Sequence, residues 1–332
     1  IFCSKCGTMM YPCGLHCPKC GTPNHKPRAL NWIGYSRLRT VIPSTGWKRH
    51  EEVLRSYRRC FYCGQPLREP SLDQRCPACG KAVPRRELVG HRYVCPLCGH
   101  HYPVGAYYRL SLILDKGTFR ELDAPLASNN PLDFPGFSDR ISDAQKKTGA
   151  KSGCMTFEAR IDNTKMVVAM LMGTFRGGSV GAAEGYKFVE AAQRAEKKRY
   201  PFLAYVHGTA GIRIQEGTHG VIQMPRCTVA VRRYIESGGL YMVLYDTNSF
   251  AGPVASFLGC SPYQFAVRSS NIGFAGPGVI KETTGMDIPP KYHRSYRALS
   301  RGHIQGIWDR RQVRANLKQA LLTIGGRNLY YR

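Results

Sequence analysis

Short apolar runs that end in small residues recur along the chain after about residue 104. Residues 156–175 are predicted to form a β-hairpin, with Asp162 and Asn163 at its turn and a buried second strand. Residues 201–211 and 238–257 share one plan, in which a buried strand leads into a glycine-rich turn. The pattern therefore predicts several buried strands of one sheet.

Helical periodicity separates these strands. Residues 187–199 place apolar positions at helical spacing, residues 212–238 are predicted to be largely helical despite Pro225, and residues 107–122 are predicted to open with a helix. Residues 269–284 are predicted to repeat the plan of strand, turn and helix. Each buried strand would deliver a small-residue turn to one end of a sheet, which predicts an α/β fold with a site built from turn amides.

Cysteine usage changes sharply along the chain. Eleven of the 14 cysteines lie before residue 100, and ten of those form five C-x-x-C pairs. Two thiolates on one tight turn fill half of a tetrahedron, and a second such turn fills the rest. The spacing therefore predicts zinc ribbons in a reducing compartment rather than a disulfide scaffold.

A first zinc ribbon is predicted at residues 1–23, with Cys13 as a bystander. Its ligands would be Cys3, Cys6, Cys17 and Cys20. Residues 24–70 follow as a basic connector that contains an extra C-x-x-C pair.

Three cysteine pairs compete for the next metal: Cys60/Cys63, Cys76/Cys79 and Cys95/Cys98. Residues 81–93 can form the two short antiparallel strands of a ribbon, so a second ribbon is predicted at residues 71–105, with the ligands Cys76, Cys79, Cys95 and Cys98. A competing arrangement joins Cys60/Cys63 with Cys76/Cys79, and the role of Cys60 and Cys63 stays open. His100 and His101 follow the last pair and are not expected to be ligands.

Composition describes a folded, strongly basic protein. The chain has 332 residues, of which 43% are apolar, enough for a core of ~200 residues and small modules. A net charge of +26 predicts attraction to phosphates, acidic proteins or anionic membranes, so a nucleic-acid partner stays open. The longest clean apolar run, residues 166–172, is far below the ~20 residues of a membrane span, which predicts a soluble protein. The sequence opens on Ile1, and an upstream targeting segment stays open.

Four motifs carry a family resemblance: CPACG…CPLCGHH, RGGSVGAAEGYKF, GTAGIRIQEG and GFAGPGVI. They resemble the β subunit of the carboxyltransferase of bacterial and plastid acetyl-CoA carboxylase, over roughly residues 76–325. In that family a four-cysteine zinc ribbon precedes a crotonase-like ββα-spiral domain. The resemblance implies such a domain at residues 106–332, and a location in the bacterial cytoplasm or the plastid stroma.

The resemblance also implies an activity. It is the transfer of a carboxyl group from carboxybiotin to acetyl-CoA or another acyl-CoA, giving malonyl-CoA in the first step of fatty-acid synthesis. The implied partners are an α-type carboxyltransferase subunit, a biotin carboxyl carrier protein and a biotin carboxylase, in a hetero-oligomer. Zinc is the implied bound metal, and the carrier protein would supply the carboxybiotin.

The reaction passes through an enolate, so amide donors are needed where negative charge develops on the thioester oxygen. The family's oxyanion turn matches residues 209–213, which implies that the donors are the N–H groups of Ala210 and Gly211. Alanine at position 210 is tolerable only with a negative φ. The neighbouring turns would line the cleft for CoA and carboxybiotin, through Arg176, Gly177, Gly178, Ser179, Gly181, Gly252 and Gly276. Arg176 is either a phosphate contact or a surface charge, and Arg213 with Glu216 is interpreted as an ordinary helical i,i+3 pair.

Departures from the family pattern leave two functions open. Pro253 stands where a helix should begin, and residues 260–262 and 266–268 lack two acidic residues that the family has. The changes fit a divergent active enzyme. They also fit a catalytically inactive structural subunit, derived from a carboxyltransferase, in a larger assembly that could contain nucleic acid.

Overall fold

The computed structural model describes residues 73–325, which divide into two compact units between Leu112 and Ile113. The ribbon predicted at residues 1–23 and the connector at 24–70 lie outside the described residues, together with their cysteines Cys3, Cys6, Cys13, Cys17, Cys20, Cys60 and Cys63. The predicted domain boundaries, including that at 105/106, stay predictions.

The first unit holds a small ribbon. Strand β1 (Asp73–Arg75) pairs antiparallel with β2 (Ala82–Pro84), and helix α1 (Arg85–Gly90) follows at once. The prediction of two strands within residues 81–93 is therefore wrong. The second strand comes from before the first cysteine pair, and the chain after Pro84 turns into a helix that buries Leu88 completely.

Helix α2 (Ala106–Ile113) confirms the helix predicted at the start of residues 107–122. The small core of the first unit combines apolar side chains with two of its cysteines: Cys76, Val83, Leu88, Cys95 and Tyr102.

The second unit is built on a seven-stranded sheet of order β11-β9-β7-β6-β5-β4-β3, with a separate two-stranded sheet of β8 and β10. The strands are β3 (Arg120–Leu122), β4 (Cys154–Ile161), β5 (Thr164–Leu171), β6 (Phe202–Val206), β7 (Tyr241–Tyr245), β8 (Asn248–Ser249), β9 (Tyr263–Val267), β10 (Asn271–Ile272) and β11 (Gly306–Trp308). Strands β5, β6, β7, β9 and β11 are parallel, and β3 and β4 are antiparallel to their neighbours.

The predicted hairpin is confirmed. Strands β4 and β5 pair along their whole length, and Asp162 and Asn163 form the turn with φ of 50° and 67°. Short polar side chains tolerate this left-handed conformation better than other non-glycine residues do.

Helices cover the sheet. They are α3 (Phe137–Thr148), α4 (Ala182–Lys198), α5 (Thr218–Val221), α6 (Gln223–Glu236), α7 (Gly252–Ala255), α8 (Pro277–Thr284), α9 (Ser295–Ser300) and α10 (Val313–Gly325). The helices predicted in residues 187–199 and 212–238 are confirmed as α4 and as α5 with α6. Pro225 is the third residue of α6, where a proline removes no helical hydrogen bond.

The core lies between the central strands and helices α4 and α6. Every residue of β6 and β7 is buried. Phe202 lies at the centre of an aromatic cluster, with the rings of Phe188 and Tyr241 each 5.3 Å away and that of Tyr234 6.1 Å away. Strands buried on both faces explain the continuous apolar runs in the sequence.

The turns after β5, β6, β7 and β9 lie at one edge of the sheet, because these strands run parallel. Backbone bridges join neighbouring turns: Val180 with Ile212, Thr209 with Ser249, and Asn248 with Asn271. We call these four segments (residues 176–181, 207–213, 247–252 and 270–276) the turn ladder.

Two predictions about these turns need correction. Residues 269–284 contain the predicted strand, turn and helix, as β10 and α8 with a turn between them, but β10 has only two residues and lies outside the seven-stranded sheet, beside β8. The strand of the large sheet that precedes this turn is β9. Helix α7 is a single turn, with Pro253 as its second residue. Proline fits that position, because the first N–H groups of a helix have no partner within it.

Helices capable of crossing a membrane are absent from residues 73–325, where none is both long enough and apolar enough.

We predict that Phe202→Ala lowers the free energy of unfolding by about 3–5 kcal/mol, because it empties the centre of the aromatic cluster. Chemical denaturation followed by circular dichroism measures this. The matched control is Phe134→Ala, since Phe134 is 44% exposed and its loss opens no core cavity. Equal losses in the two variants would contradict this location of the core.

Candidate functional site

Four cysteine thiols converge in the first unit. Their Sγ atoms all lie within 4.8 Å of one another, and none forms a disulfide; the residues are Cys76, Cys79, Cys95 and Cys98. Gly80 donates its N–H to the Cys76 carbonyl at 2.8 Å, and Gly99 donates to the Cys95 carbonyl at 2.9 Å, so each pair sits on a closed turn. The structure thus brings Cys76/Cys79 together with Cys95/Cys98, as the preferred arrangement requires.

The thiols fit a zinc ion. Four Zn–S bonds of ~2.3 Å in a tetrahedron place the sulfur atoms roughly 3.8 Å apart, and the Sγ atoms of Cys76 and Cys98 are 3.6 Å apart. Among the described residues the cluster includes neither His100 nor His101. Burial raises the pKa of Cys76, but amide hydrogen bonds from Cys79 and Ala78 outweigh it and lower the pKa to about 6.

The turn at residues 207–213 carries the predicted oxyanion donors, and backbone bonds hold it on both sides. Thr209 donates to the Asn248 carbonyl at 2.9 Å, and Val180 donates to the Gly211 carbonyl at 2.8 Å. Ala210 lies between these two attachments and is exposed.

The two predicted donors differ in availability. The N–H of Ala210 has no hydrogen-bond partner within residues 73–325, and its φ is not positive, as an alanine requires. The N–H of Gly211 forms a long bond of 3.3 Å to Thr209 Oγ1. Of the two predicted donors, Ala210 is therefore the free one, and Gly211, with φ of +108°, shapes the turn.

The turn after β5 packs directly on the turn after β6. A Cβ at Gly178 would collide with the Gly208 carbonyl, and Gly178 has φ of +72°, so only glycine fits. A Cβ at Gly177 would lie 3.1 Å from that of Ala210. These two predicted site residues are thus brought against the donor.

A buried ion cluster locks this contact. The Arg213 guanidinium, 2% exposed, binds Glu184 at 2.8 and 2.9 Å and Glu216 at 2.7 Å, and donates to the Ser179 carbonyl at 2.9 Å. We call Arg213, Glu184 and Glu216 the buried ion cluster. The interpretation of Arg213 and Glu216 as an ordinary helical pair is wrong, since both are buried and Arg213 precedes the one-turn helix Ile214–Glu216 in extended conformation.

Both carboxylates also bind backbone amides at the start of α4. Glu184 accepts from Gly181 N–H at 3.1 Å and from Gly153 N–H at 2.7 Å, and Glu216 accepts from Ala182 N–H at 2.7 Å. Ser128 donates to Glu184 as well, at 2.5 Å. The amide of Gly181 is thus committed to Glu184, which fixes the helix terminus in place.

Burial alone would raise the pKa of Glu184. The positive charge of Arg213 and the hydrogen bonds from Arg213, Ser128 and Gly153 outweigh it, so the pKa lies below its ordinary value. The carboxylates likewise hold the pKa of Arg213 above its ordinary value, against the effect of burial. Glu184 and Arg213 are therefore ionised at neutral pH.

The remaining predicted site residues differ in how close they lie to the donor turn. Gly252 opens α7 beside Ala251, and a Cβ at Gly211 would lie 2.7 Å from that of Ala251, so the third turn also reaches the donor turn. Gly276 precedes α8, and a Cβ there would meet nothing within 4 Å, so the structure does not bring it against the other turns.

Arg176 is half-buried, with its guanidinium 5.8 Å from the ring centre of Phe137. Burial lowers its pKa, and the positive charges of Arg140 and Arg213 lower it further. It is therefore more enclosed than a plain surface charge.

Sequence reasoning missed Glu184, Ser128 and Gly153. A signal for Glu184 was present, because a glutamate three residues after the helix-preceding Gly181 is typical of a capping interaction. Ser128 and Gly153 bind Glu184 from positions 56 and 31 residues away in the sequence, and no local sequence pattern indicates these two contacts.

No protein-family model matches the chain. Solved structures share its fold. Transcarboxylase 12S, with methylmalonyl-coenzyme A bound, aligns with a TM-score of 0.56 at 23% identity over 65% of this chain and 40% of that one. A Pseudomonas malonate decarboxylase hetero-dimer aligns at 0.52 and 22% identity, over 66% and 86%. A single-chain, multi-domain long-chain acyl-CoA carboxylase aligns at 0.54 and 22% identity, over 71% and 23%.

The chain shares with these structures a mixed α/β fold built on a large, mostly parallel sheet. The predicted fold class is thereby confirmed, and the four-cysteine cluster is compatible with the zinc ribbon predicted before it. The chain spans 40% of the length of the transcarboxylase 12S chain.

We predict that Cys95→Ser lowers the zinc content by one ion per chain, because three thiolates no longer complete the tetrahedron. Elemental analysis of the purified chain measures this. Cys260→Ser is the matched control, since Cys260 lies outside the cluster. An unchanged zinc content in Cys95→Ser would exclude the cluster as a zinc site.

We predict that Arg213→Met lowers the free energy of unfolding by about 3–5 kcal/mol, because it leaves two buried carboxylates without their counter-charge. The control Arg233→Met removes an exposed ion pair with Glu196 and should change stability by about 0–1 kcal/mol. Urea titrations of both variants give the comparison, and similar losses would show that the cluster is not a special stabilising element.

Proposed function

We propose that the chain is a carboxyltransferase β-type subunit of a biotin-dependent acyl-CoA carboxylase, with acetyl-CoA as the acyl acceptor and malonyl-CoA as the product. The observation that carries the proposal is the Ala210 N–H, an exposed donor without a partner among the described residues, on a turn that backbone hydrogen bonds hold on both sides. The sequence resemblance at residues 209–213 assigns the oxyanion role to this same turn.

The backbone would perform the chemistry. Loss of an α-carbon proton from a thioester places negative charge on the thioester oxygen, and a preorganised N–H in a fixed turn stabilises that charge without reorganising. Ala210 would donate first. Gly211 can contribute its own N–H once the 3.3 Å bond to Thr209 Oγ1 is exchanged for the oxyanion.

The buried ion cluster would position the donors. Arg213 is continuous with the turn and binds Glu184 at the start of α4, and a Cβ at Gly177 would lie 3.1 Å from that of Ala210, so the cluster would hold the donor turn against the turn after β5. Placement of this kind is worth a large share of a catalytic barrier. Cleft residues proposed with the donors are Arg176, Gly177, Gly178, Ser179, Gly181, Gly252 and Gly276.

The proposal includes partners. An α-type carboxyltransferase subunit would supply the other half of the cleft, and carboxybiotin, which supplies the carboxyl group, would arrive on a carrier protein loaded by a biotin carboxylase. Two of the similar structures are described as a hexamer assembly and a hetero-dimer, which supports a multi-subunit setting.

A catalytically inactive structural subunit is the second candidate. The observation in its favour is that the Gly211 N–H is already bonded to Thr209. A scaffold needs neither a free donor nor an α-type partner, so an activity assay separates the two candidates.

We predict that Ala210→Pro lowers the rate of acyl-CoA carboxylation by about a hundredfold or more, near 3 kcal/mol of transition-state stabilisation, because proline removes the N–H donor. The assay uses the chain assembled with its α-type partner and compares acetyl-CoA with propionyl-CoA. Gly211→Val should be almost as harmful, since a side chain at φ of +108° is strained and its Cβ meets Ala251.

Controls are Ala210→Gly and Thr209→Ser, which keep the N–H and the hydroxyl and should be mild. Circular dichroism confirms folding of each variant. Full activity in a folded Ala210→Pro chain, or no activity in the wild-type assembly, would favour the structural subunit.

A further inference from the structure

A cavity of about 320 Å³ lies beside the last turn of the turn ladder, outside the donor turn. It is lined by the loop after β10, by residues of α8 and α9, and by the segments on either side of α9. Its polar and aromatic lining consists of Phe274, Tyr292, His293, Arg297, Arg301 and His303. This volume is in the lower range of small-molecule pockets.

The lining is positive, with no aspartate or glutamate among its residues. Arg297 and Arg301 have no ion-pair partner within residues 73–325, and both are exposed. Arg297 lies in the last turn of α9 and Arg301 is the first residue after the helix, so two positive side chains stand at the same end of α9. An anion in the cavity would supply the counter-charge that neither has within residues 73–325.

His293 adds an unsatisfied polar atom. Its Nε2 is buried and has no hydrogen-bond partner among the described residues. Burial lowers the pKa of His293, and the charge of Arg301 lowers it further, so the positive potential of Arg301 reaches the ring.

We propose that this cavity binds a phosphoryl group, as a phosphomonoester or a pyrophosphate. Two guanidinium groups and two imidazole rings offer more donors than a carboxylate can accept, while a phosphate has three free oxygens and up to two negative charges. The proposal rests on the cavity and not on the carboxyltransferase activity.

Two sources could supply such a group. The Phe274 carbonyl accepts from Ala251 N–H at 2.6 Å, and Ala251 adjoins Gly211, so the cavity wall continues into the donor turn. A coenzyme ester that reaches from the turn could therefore place its phosphates here. A free phosphate compound is the other source.

The test is calorimetric titration of the full zinc-loaded chain, without partners, with CoA, dephospho-CoA and inorganic pyrophosphate. Arg297→Gln and Arg301→Gln are each expected to weaken binding about tenfold or more. The matched control, Arg232→Gln, removes the same charge from an exposed pair with Glu236 and should change affinity less than about twofold. Binding of CoA without pyrophosphate assigns the coenzyme as the source, and equal binding of pyrophosphate assigns a free phosphate.

A second readout needs no variant. Bound pyrophosphate or CoA should raise the pKa of His293, because a nearby anion favours the protonated ring. An NMR titration of the wild-type chain measures this pKa with and without the ligand. Absence of binding by every probe, equal weakening by Arg232→Gln, or an unmoved His293 pKa would overturn the proposal. None of these results depends on carboxylation activity, so the two proposals fail separately.

Discussion

One guanidinium between two buried carboxylates holds the site together. Arg213 joins the turn after β6 to Glu184 at the start of α4. Glu216, in the one-turn helix that follows, accepts a further hydrogen bond from Arg213. Burying three charges is unfavourable unless nearly every polar atom finds a partner. Here the amides of Gly153, Gly181 and Ala182 and the hydroxyl of Ser128 supply the additional hydrogen bonds. The cluster therefore specifies one arrangement of the two turns, since any shift would leave a charge unpaired.

The turn ladder extends this local constraint along one edge of the sheet. Parallel strands bring their carboxyl ends to one edge, and bridges from Val180, Thr209 and Asn248 join each turn to the next. What this edge offers to a ligand is mainly backbone: a free amide at Ala210 and the close approach of glycines. Backbone groups are available from many sequences, which is consistent with a fold shared at 22–23% identity with solved structures.

Charge is distributed unevenly around this framework. The buried ion cluster carries two negative charges for one positive, whereas Arg297 and Arg301 line a cavity without any carboxylate. A net charge of +26 would by itself indicate only a general attraction to anions. The tertiary structure concentrates part of that charge at a cavity next to the last turn, where the buried Nε2 of His293 has no hydrogen-bond partner among the described residues.

Local patterns determined the secondary structure and the cysteine pairs. The hairpin turn at Asp162 and Asn163, the buried strands β5 to β7 and the helix α4 depend on residues close in sequence, and their periodicity predicted them. The family resemblance, in addition, indicated that the turn at Ala210 would carry the oxyanion donors. Only the tertiary structure decided four other features. They are the strand that precedes the fourth turn, the partner of β2, the ion pair of Arg213 with Glu184 and the basic cavity around His293. Each depends on segments that are distant in sequence and meet in space, and a periodic pattern carries no information about such meetings.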